Sequence, residues 1–272
     1  MEKVSREYAV EFPSKYNNNN YDIATPLNGE IKGVILWIHG GSFIGGSSEG
    51  TRNFGPMIAS QGYIFLAMNY AYSPEYSFPT QLHQVGEMLN YISNDNRFNN
   101  KPIILGGDSA GANIAANYIT ITSNEKLSKK YNLFSNDNQQ IEACLLFCGP
   151  FDFTENIKKD DFKKYNTFMK YIGWSYFGKR KWKKYDKHRD ASPLININDR
   201  FPKTYVCDGK IASFLWQGKR LVEVLEKKGI EVQGRFYEYL PHEFQFDYEK
   251  YPEEAIQVFN DVVTFLGGNK DD

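Results

Sequence analysis

The sequence predicts an α/β fold in which a mostly parallel central sheet is covered by helices on both faces. Six short runs have the apolar, often β-branched or aromatic character of buried strands, and they lie at 33–40, 63–70, 102–107, 141–150, 203–209 and 235–242. Helical patterns separate most of these runs. Strands that alternate with helices indicate parallel neighbours joined by crossovers.

Each helical pattern fits between or after these strands. The apolar face consists of Leu82, Val85, Leu89 and Ile92 in the pattern at 78–94, and of Ile256, Phe259, Val263 and Leu266 in the last one. The pattern at 215–228 is followed by Gly229, a residue that commonly ends helices.

Length and composition favour a single domain over residues 1–272. The 272 residues are 41% hydrophobic, which is sufficient for one substantial core. The 32 Lys and Arg nearly balance the 33 Asp and Glu, and the formal net charge is -1. We therefore expect a small-molecule substrate and neither a nucleic-acid nor a membrane partner. A homo-oligomer is compatible with this composition.

Two further features bear on the compartment. The stretch MEKVSREYAVEFPSKYNNNN is polar throughout, and no apolar segment reaches the length needed to span a bilayer, so we expect a cytoplasmic protein. Cys144 and Cys148 lie four positions apart on one predicted strand, which separates them by roughly 13 Å and prevents their pairing. Together with Cys207, they are expected to be buried thiols without a catalytic or metal-binding role.

Residues 153–193 break the alternation of strands and helices. This insert is long, aromatic and locally basic, and we interpret it as a lid. Its most basic run, KRKWKK at 179–184, is interpreted as a solvated helix face. The asparagine run at 17–20 is predicted to form a loop.

A nucleophile motif follows the third predicted strand. Gly107, Asp108, Ser109, Ala110 and Gly111 form G-x-S-x-G between a strand pattern and a helical pattern, which is the nucleophile-elbow arrangement of serine hydrolases. The glycines fit because side chains there would collide with the neighbouring strand and helix. The alternative is a turn whose serine only caps a helix.

A glycine-rich segment, WIHGGSFIGG, leaves the carboxyl end of the first predicted strand. Its glycines free the backbone to turn with amides pointing inward. We expect the amides of Gly40, Gly41 and Ala110 to form an oxyanion hole. His39 would then organise the loop, because no second His or Cys stands at metal-ligand spacing.

The general base is expected to be His242. It follows the last predicted strand, so a parallel sheet brings it to the same carboxyl edge as Ser109. His83 lies within a helical pattern and His188 in the insert, where surface or structural roles are expected.

Taken together, these motifs resemble those of α/β-hydrolases of the hormone-sensitive-lipase and acetyl-esterase type. The resemblance covers nearly the whole chain and rests on HGGSF, NYAYSPEYSFP, GDSAG, CGPFDF and ASPL. It implies the α/β-hydrolase fold and a Ser-His-acid triad without a metal or organic cofactor. Ser42 departs from the family because a third glycine usually stands there.

The acid of the triad is the main departure from the family pattern. Relatives carry it in a pattern similar to G-x-x-D-x-L, which falls near Ile211 or Ala212, and neither is acidic. Asp208 at the strand end is the nearest carboxylate. Asp152 is the alternative, because some lipases of this fold place the acid after the preceding strand.

The predicted function is a serine carboxylic ester hydrolase. The resemblance favours short, acetyl-like acyl groups, and the aromatic insert would roof the acyl pocket. An amidase such as an arylformamidase, or a peptidase of the same fold, is the alternative within the hydrolases, since the same residues serve both reactions. A non-catalytic ligand-binding protein of this fold is the alternative from another class.

Overall fold

The computed structural model describes residues 3–98, 100–134, 140–155 and 163–267. Within these residues one eight-stranded sheet forms, with strand order β1-β2-β4-β3-β5-β6-β7-β8. The strands are β1 (Val4–Glu11), β2 (Asn20–Pro26), β3 (Gly33–Ile38), β4 (Tyr63–Met68), β5 (Ile103–Asp108), β6 (Ile141–Phe147), β7 (Lys203–Ile211) and β8 (Val232–Pro241). The pairs β1–β2 and β2–β4 are antiparallel, and the remaining pairs, which join β4, β3, β5, β6, β7 and β8 in that order, are parallel.

Helices flank this sheet. In the described part of the chain the α-helices are α1 (Phe54–Ala59), α2 (Thr80–Asn94), α3 (Ala110–Thr122), α4 (Glu125–Tyr131), α5 (Lys163–Phe177), α6 (Lys187–Asp190), α7 (Pro193–Asn196), α8 (Leu215–Lys227) and α9 (Pro252–Phe265). Short 3₁₀ helices cover Ser48–Thr51, Trp182–Lys184 and Phe244–Phe246.

The sheet separates two hydrophobic cores, because successive side chains of a strand point to opposite faces. In β3, Leu36 and Ile38 join the core that contains α2, α3 and α8, whereas Ile35 and Trp37 join the core that contains α1 and α9. All six residues of β3 are buried. The α/β fold predicted from the sequence is therefore confirmed.

All six predicted runs are strands, but β1 and β2 were missed. β1 is an edge strand in which only Val4 is buried, so it has no apolar periodicity. β2 begins at Asn20, the last residue of the asparagine run that we expected to be a loop, and it contains the buried Asp22. The carboxylate of Asp22 accepts from Arg52 at 2.9 Å and from the Ala9 amide at 3.0 Å, which explains why a charge is tolerated there.

The insert contains α5, a 3₁₀ helix, α6 and the start of α7, and residues 156–162 lie outside the described chain. One face of α5 is buried, including Met169, Ile172 and Tyr176. Trp182 packs so tightly on α5 that a Cβ at Gly173 would come within 2.2 Å of the indole ring. This contact fixes the 3₁₀ helix against α5.

The last helix differs from its predicted apolar face at one position. Val263 is buried, but Ile256 is 46% exposed, and Val258 and Val262 contribute to the core in its place. No helix within the described ranges is long and apolar enough to cross a membrane.

Candidate active site

The strand-to-helix junction at Ser109 has the geometry of a nucleophile elbow. β5 ends at Asp108 and α3 begins at Ala110, so Ser109 is the whole connection. Its φ of 52° and ψ of -119° are strained for a residue with a side chain. The Ser109 amide donates to the Phe147 carbonyl at 2.8 Å, which holds the elbow against the end of β6.

The glycines of the motif are required by close packing, as the sequence predicted. A Cβ at Gly111 would lie 1.9 Å from the Ile38 carbonyl oxygen, and one at Gly107 would lie 2.6 Å from the same atom. α3 therefore approaches β3 more closely than any side chain at Gly111 would allow.

His242 follows β8 and reaches the nucleophile. Its Nε2 lies 2.9 Å from Ser109 Oγ, and its backbone amide donates to the Ile211 carbonyl at 3.0 Å. The Phe214 ring packs edge-on against the imidazole at a centroid distance of 5.8 Å. Burial lowers the pKa of His242, an effect opposed by the nearby Glu243, so the imidazole is neutral and able to accept a proton at neutral pH.

Asp208 is linked to His242 through a third residue, Ser213. The Ser213 Oγ donates to Asp208 Oδ1 at 2.6 Å and lies 2.6 Å from His242 Nδ1. With Nδ1 protonated and donating to Ser213, Nε2 is left free to accept from Ser109. We refer to this hydrogen-bonded line of Asp208, Ser213, His242 and Ser109 as the relay.

Burial and hydrogen bonds have opposite effects on the pKa of Asp208. The carboxyl group is 1% exposed, and burial raises its pKa to about 7, although hydrogen bonds from Ser213 and the Gly209 and Phe214 amides act in the opposite direction. The Phe214 amide lies 3.2 Å from Asp208 Oδ2. At and above neutral pH, the relay can therefore carry a carboxylate at its far end.

The alternative acid, Asp152, lies elsewhere. It is buried, and its Oδ1 accepts from the Thr154 amide at 2.8 Å and from the Thr154 hydroxyl at 2.6 Å. Its Oδ2 faces the Arg220 guanidinium at 3.7 Å. Among the described hydrogen bonds, none joins Asp152 to His242, so the structure favours Asp208.

Sequence reasoning did not find Ser213. It stands in the three-residue segment 212–214 between β7 and α8, where no motif distinguishes it from other serines. The available signal was indirect: the acid expected near Ile211 or Ala212 was absent, and a serine followed one or two residues later.

The expectation for Gly40 changes with the structure. The Gly40 amide donates to Asp108 Oδ2 at 2.7 Å, so it is already engaged and cannot also serve an oxyanion. Trp37 Nε1 donates to the other carboxylate oxygen of Asp108 at 2.8 Å. Asp108 thus ties the loop after β3 to the residue just before the nucleophile.

The next two amides of this loop are differently placed. Gly41 adopts a φ of 112°, and its carbonyl accepts from the Ile44 and Gly45 amides in a tight turn. Ser42 follows with a φ of 56°, which the glycine usual at this position in the family would adopt more readily. Within the described residues, the amides of Gly41, Ser42 and Ala110 have no hydrogen-bond acceptor.

Burial raises the pKa of Asp108 to about 8, and the nearby Glu243 adds to this effect. The hydrogen bonds from Trp37 and the Gly40 amide oppose the rise. Glu243 Oε1 also lies 3.6 Å from His242 Nε2, close enough to stabilise an imidazolium but longer than a hydrogen bond.

The other three histidines lie outside the relay. His39 is buried with Nδ1 2.5 Å from the Gly40 carbonyl, and its ring stacks on Tyr70 at 4.5 Å. Burial lowers the pKa of His39 to about 4, so it is neutral and suited to bracing the loop. His188 is also buried, with Nδ1 2.6 Å from the Tyr185 carbonyl, and His83 lies on α2.

One group of potential metal ligands occurs among the described residues, formed by Cys148, His242 and Glu243 with ligand atoms within 4.8 Å of one another. Burial raises the pKa of the Cys148 thiol well above its usual value, with nearby carboxylates adding to the shift. A thiol that stays protonated is a poor metal ligand. The three cysteines are free and buried.

Aromatic side chains of the insert cover the loop beside the nucleophile. Phe43 stacks on Tyr176 at a centroid distance of 3.8 Å, and Phe153 lies 6.1 Å from Phe43. On another side of the loop, a cavity of about 600 Å³ is lined by residues that include Gly40, Gly41 and Glu243.

Comparison with known proteins agrees with this architecture. A family model described as the alpha/beta hydrolase fold matches residues 35–246. A gibberellin receptor of Arabidopsis thaliana is 29% identical over 104 residues, which are 35% of this chain and 30% of the receptor, so the chain spans less than a third of that relative's length. An esterase of Acinetobacter venetianus is 24% identical over 85% of this chain and 74% of the esterase.

The solved structures show the same fold. Esterase B from Lactobacillus rhamnosis, inhibited by a C6-C4 SN3 compound, superimposes with a TM-score of 0.79 at 19% sequence identity, covering 98% of this chain and 87% of the esterase. Given the family match over most of its length, the chain belongs to the α/β-hydrolase fold family, in the group similar to hormone-sensitive lipase and acetyl esterases.

Proposed function

We propose that the protein is a serine carboxylic ester hydrolase. The observation that carries this proposal is the relay, in which three successive contacts of 2.6, 2.6 and 2.9 Å connect a buried carboxyl group to the hydroxyl of a strained serine. A serine that only capped a helix would need neither a histidine at hydrogen-bond distance nor a buried acid behind it.

We assign each step of the proposed reaction to a residue of this site. Ser109 Oγ attacks the acyl carbonyl while His242 Nε2 takes its proton, and the resulting imidazolium donates through Nδ1 to Ser213. Ser213 in turn donates to the Asp208 carboxylate, so Asp208 stabilises the imidazolium through one hydroxyl. The imidazolium then protonates the leaving alcohol, and water hydrolyses the acyl-enzyme by the reverse sequence.

The developing oxyanion needs fixed donors close to Ser109. We assign this role to the amides of Gly41 and Ala110, with the Ser42 amide as the third donor in place of Gly40. Their support is that each lacks an acceptor within the described chain, whereas the Gly40 amide is held by Asp108. Removing one such donor typically costs about 3 to 4 kcal/mol of transition-state stabilisation.

The packing of the insert supports short acyl groups. Phe43, Phe153 and Tyr176 fill the space above the loop with rings, and Tyr176 and Phe43 are each at most 1% exposed. A long acyl chain would have to displace this cluster, whereas an acetyl or butyryl group needs little room.

Labelling tests the proposal directly. A fluorescent organophosphonate should label the protein once, at Ser109, and Ser109→Ala should remove both the label and the hydrolysis of p-nitrophenyl acetate. Ser123→Ala, at the other end of α3, is the matched control and should retain both. Labelling of another serine, or turnover by Ser109→Ala, would disprove the assignment. Anilides compared with matched aryl esters separate an amidase from an esterase.

A second candidate function rests on the similarity to a gibberellin receptor. On this hypothesis the fold would hold a small ligand without turning it over. Slow or absent phosphonate labelling of the intact protein, together with unchanged ligand binding by Ser109→Ala, would favour this candidate over the esterase.

A further inference from the structure

The exposed face of α5 is aromatic where a surface helix is normally polar. Phe168, Tyr171 and Trp174 are spaced three residues apart, and they are 45%, 57% and 45% exposed. At this spacing, side chains follow one another along a single helix face. The opposite face, with Met169, Ile172 and Tyr176, is the one that packs against the core. The three exposed rings are called the aromatic stripe below.

Basic side chains gather next to the aromatic stripe. Residues 170–189 contain eight Lys and Arg and a single Asp. A groove of about 510 Å³ between α5 and the 3₁₀ helix Trp182–Lys184 is lined by five of them, namely Lys170, Arg180, Lys181, Lys183 and Lys184. We call this feature the basic groove. We expected no membrane partner from the net charge of -1, but that value is a sum over the whole chain and does not show this local excess of positive charge.

The aromatic stripe and the basic groove are held together as one surface. Trp182 Nε1 donates to the Lys170 carbonyl at 3.1 Å, and its ring packs on Gly173, so the basic segment is anchored to α5. The Arg180 guanidinium lies 5.9 Å from the Trp174 ring, which connects the groove to the stripe. These contacts therefore hold the basic groove at a fixed position beside the aromatic stripe.

We propose that this surface of the insert docks onto an anionic lipid surface. Trp, Tyr and Phe on one helix face, next to Lys and Arg, are the combination by which amphipathic helices lie in the headgroup region of a bilayer. The rings enter the boundary between headgroups and acyl chains, and the basic groove takes the lipid phosphates.

Two other occupants fit less well. A single-stranded nucleic acid stacks its bases on exposed rings inside a basic channel, but the aromatic residue lining the basic groove, Trp182, is 3% exposed. A second copy of this chain would bring two basic surfaces into contact, which like-charge repulsion opposes. The lipid surface satisfies both the rings and the charges.

Vesicle flotation with the full chain tests the proposal. The protein should float with vesicles of phosphatidylcholine containing about 30% phosphatidylglycerol, bind pure phosphatidylcholine much more weakly, and dissociate as salt is added. The charge-reversed variant Arg180→Glu/Lys181→Glu/Lys184→Glu should bind the anionic vesicles about 100-fold more weakly. The variant Phe168→Ser/Tyr171→Ser/Trp174→Ser should lose at least about tenfold.

A matched control changes the same number of charges at the opposite end of the sheet. Lys3, Lys32 and Lys227 are exposed near the amino ends of the strands, and Lys3→Glu/Lys32→Glu/Lys227→Glu should bind the anionic vesicles nearly as well as the wild type. Circular dichroism and thermal unfolding check that each variant is folded.

Three results would overturn the proposal. The first is failure of the wild type to float with anionic vesicles at low salt, or equal binding by all variants. The second is binding of a single-stranded oligonucleotide that is lost in the charge-reversed variant but kept in the variant whose aromatic stripe is changed to serines, which would identify a polyanion site. The third is a concentration-dependent dimer, observed by analytical ultracentrifugation, that is lost only in the variant whose aromatic stripe is changed to serines, which would identify a subunit interface.

Discussion

Removal of the Ser213 hydroxyl should disconnect Asp208 from His242 without touching either residue. Ser213 is 6% exposed and lies on the Nδ1 side of the imidazole, away from the nucleophile. In Ser213→Ala, the Nδ1 proton loses its acceptor, and the Asp208 carboxylate loses the donor that points it toward the histidine. The imidazole is then free to adopt the tautomer that cannot accept a proton from Ser109.

The size of the effect follows from the bonds that are lost. A hydrogen bond that stabilises a charged group contributes about 1.5 to 3 kcal/mol, which corresponds to a decrease in kcat of about 10- to 150-fold. KM should change little, because Ser213 faces the imidazole rather than the oxyanion loop. Ser213→Thr keeps a hydroxyl at the same carbon and should retain most of the activity.

Steady-state hydrolysis of p-nitrophenyl acetate by Ser213→Ala, Asp208→Asn and the double variant measures this coupling. If Asp208 acts through Ser213, the double variant should be hardly slower than the slower single variant, because either single change already breaks the hydrogen-bonded connection between Asp208 and His242. Multiplicative losses would show that Asp208 reaches His242 independently. Wild-type kcat in Ser213→Ala would refute the relay altogether.

Four other outcomes follow from the structure. Asp208→Asn should lower kcat by orders of magnitude, toward about 10⁴-fold. The amide of the variant can donate to Ser213, whose hydroxyl then donates to Nδ1, and this favours the tautomer with its proton on Nε2, which cannot accept from Ser109. Asp152→Asn should lower kcat less than about tenfold in the same assay. Gly40→Ala should abolish activity, since its Cβ would lie 2.5 Å from Asp108 Oδ2, while Gly45→Ala, whose Cβ meets nothing within 4 Å, should stay active. Acetyl to butyryl p-nitrophenyl esters should turn over faster than the octanoyl ester, and the reverse order would mean that the insert opens. Since burial raises the pKa of Asp208 from 3.8 to about 7, its ionisation destabilises the fold as pH rises through this range, so the Tm of Asp208→Asn relative to the wild type should increase from about pH 5 to pH 8.

The central strands and the nucleophile were predictable because their signals are local. Buried parallel strands need continuous apolar runs, and the elbow needs glycines on both sides of Ser109, so both features appear in short stretches of sequence. β1 escaped detection because an exposed edge strand has no such pattern. The end of β6 shifted for a similar reason, since Cys148 continues the apolar run but adopts a φ of 45° that ends the strand.

The hydrogen-bond partners at the site could not be predicted in the same way. The sequence shows that Asp108 precedes the nucleophile, but not that its carboxylate takes up the Gly40 amide from a different strand end. Likewise, Asp208 could be proposed because it lies near the end of the predicted strand at 203–209, whereas the insertion of Ser213 between it and His242 depends on side-chain directions in three dimensions. Spacing along the chain specifies which groups meet at the sheet edge, and packing decides which of them bond.

The two hydrogen bonds to Asp108 have a consequence for enzyme design. The Asp108 side chain links the loop after β3 to the elbow after β5, because its two carboxyl oxygens accept hydrogen bonds from the Trp37 indole and the Gly40 amide. A designer who grafts the HGG loop into another scaffold would therefore need to transfer three positions, namely the indole, the amide and the acid before the nucleophile. Without the acid, the loop would keep its sequence but lose the anchor that aims its remaining amides.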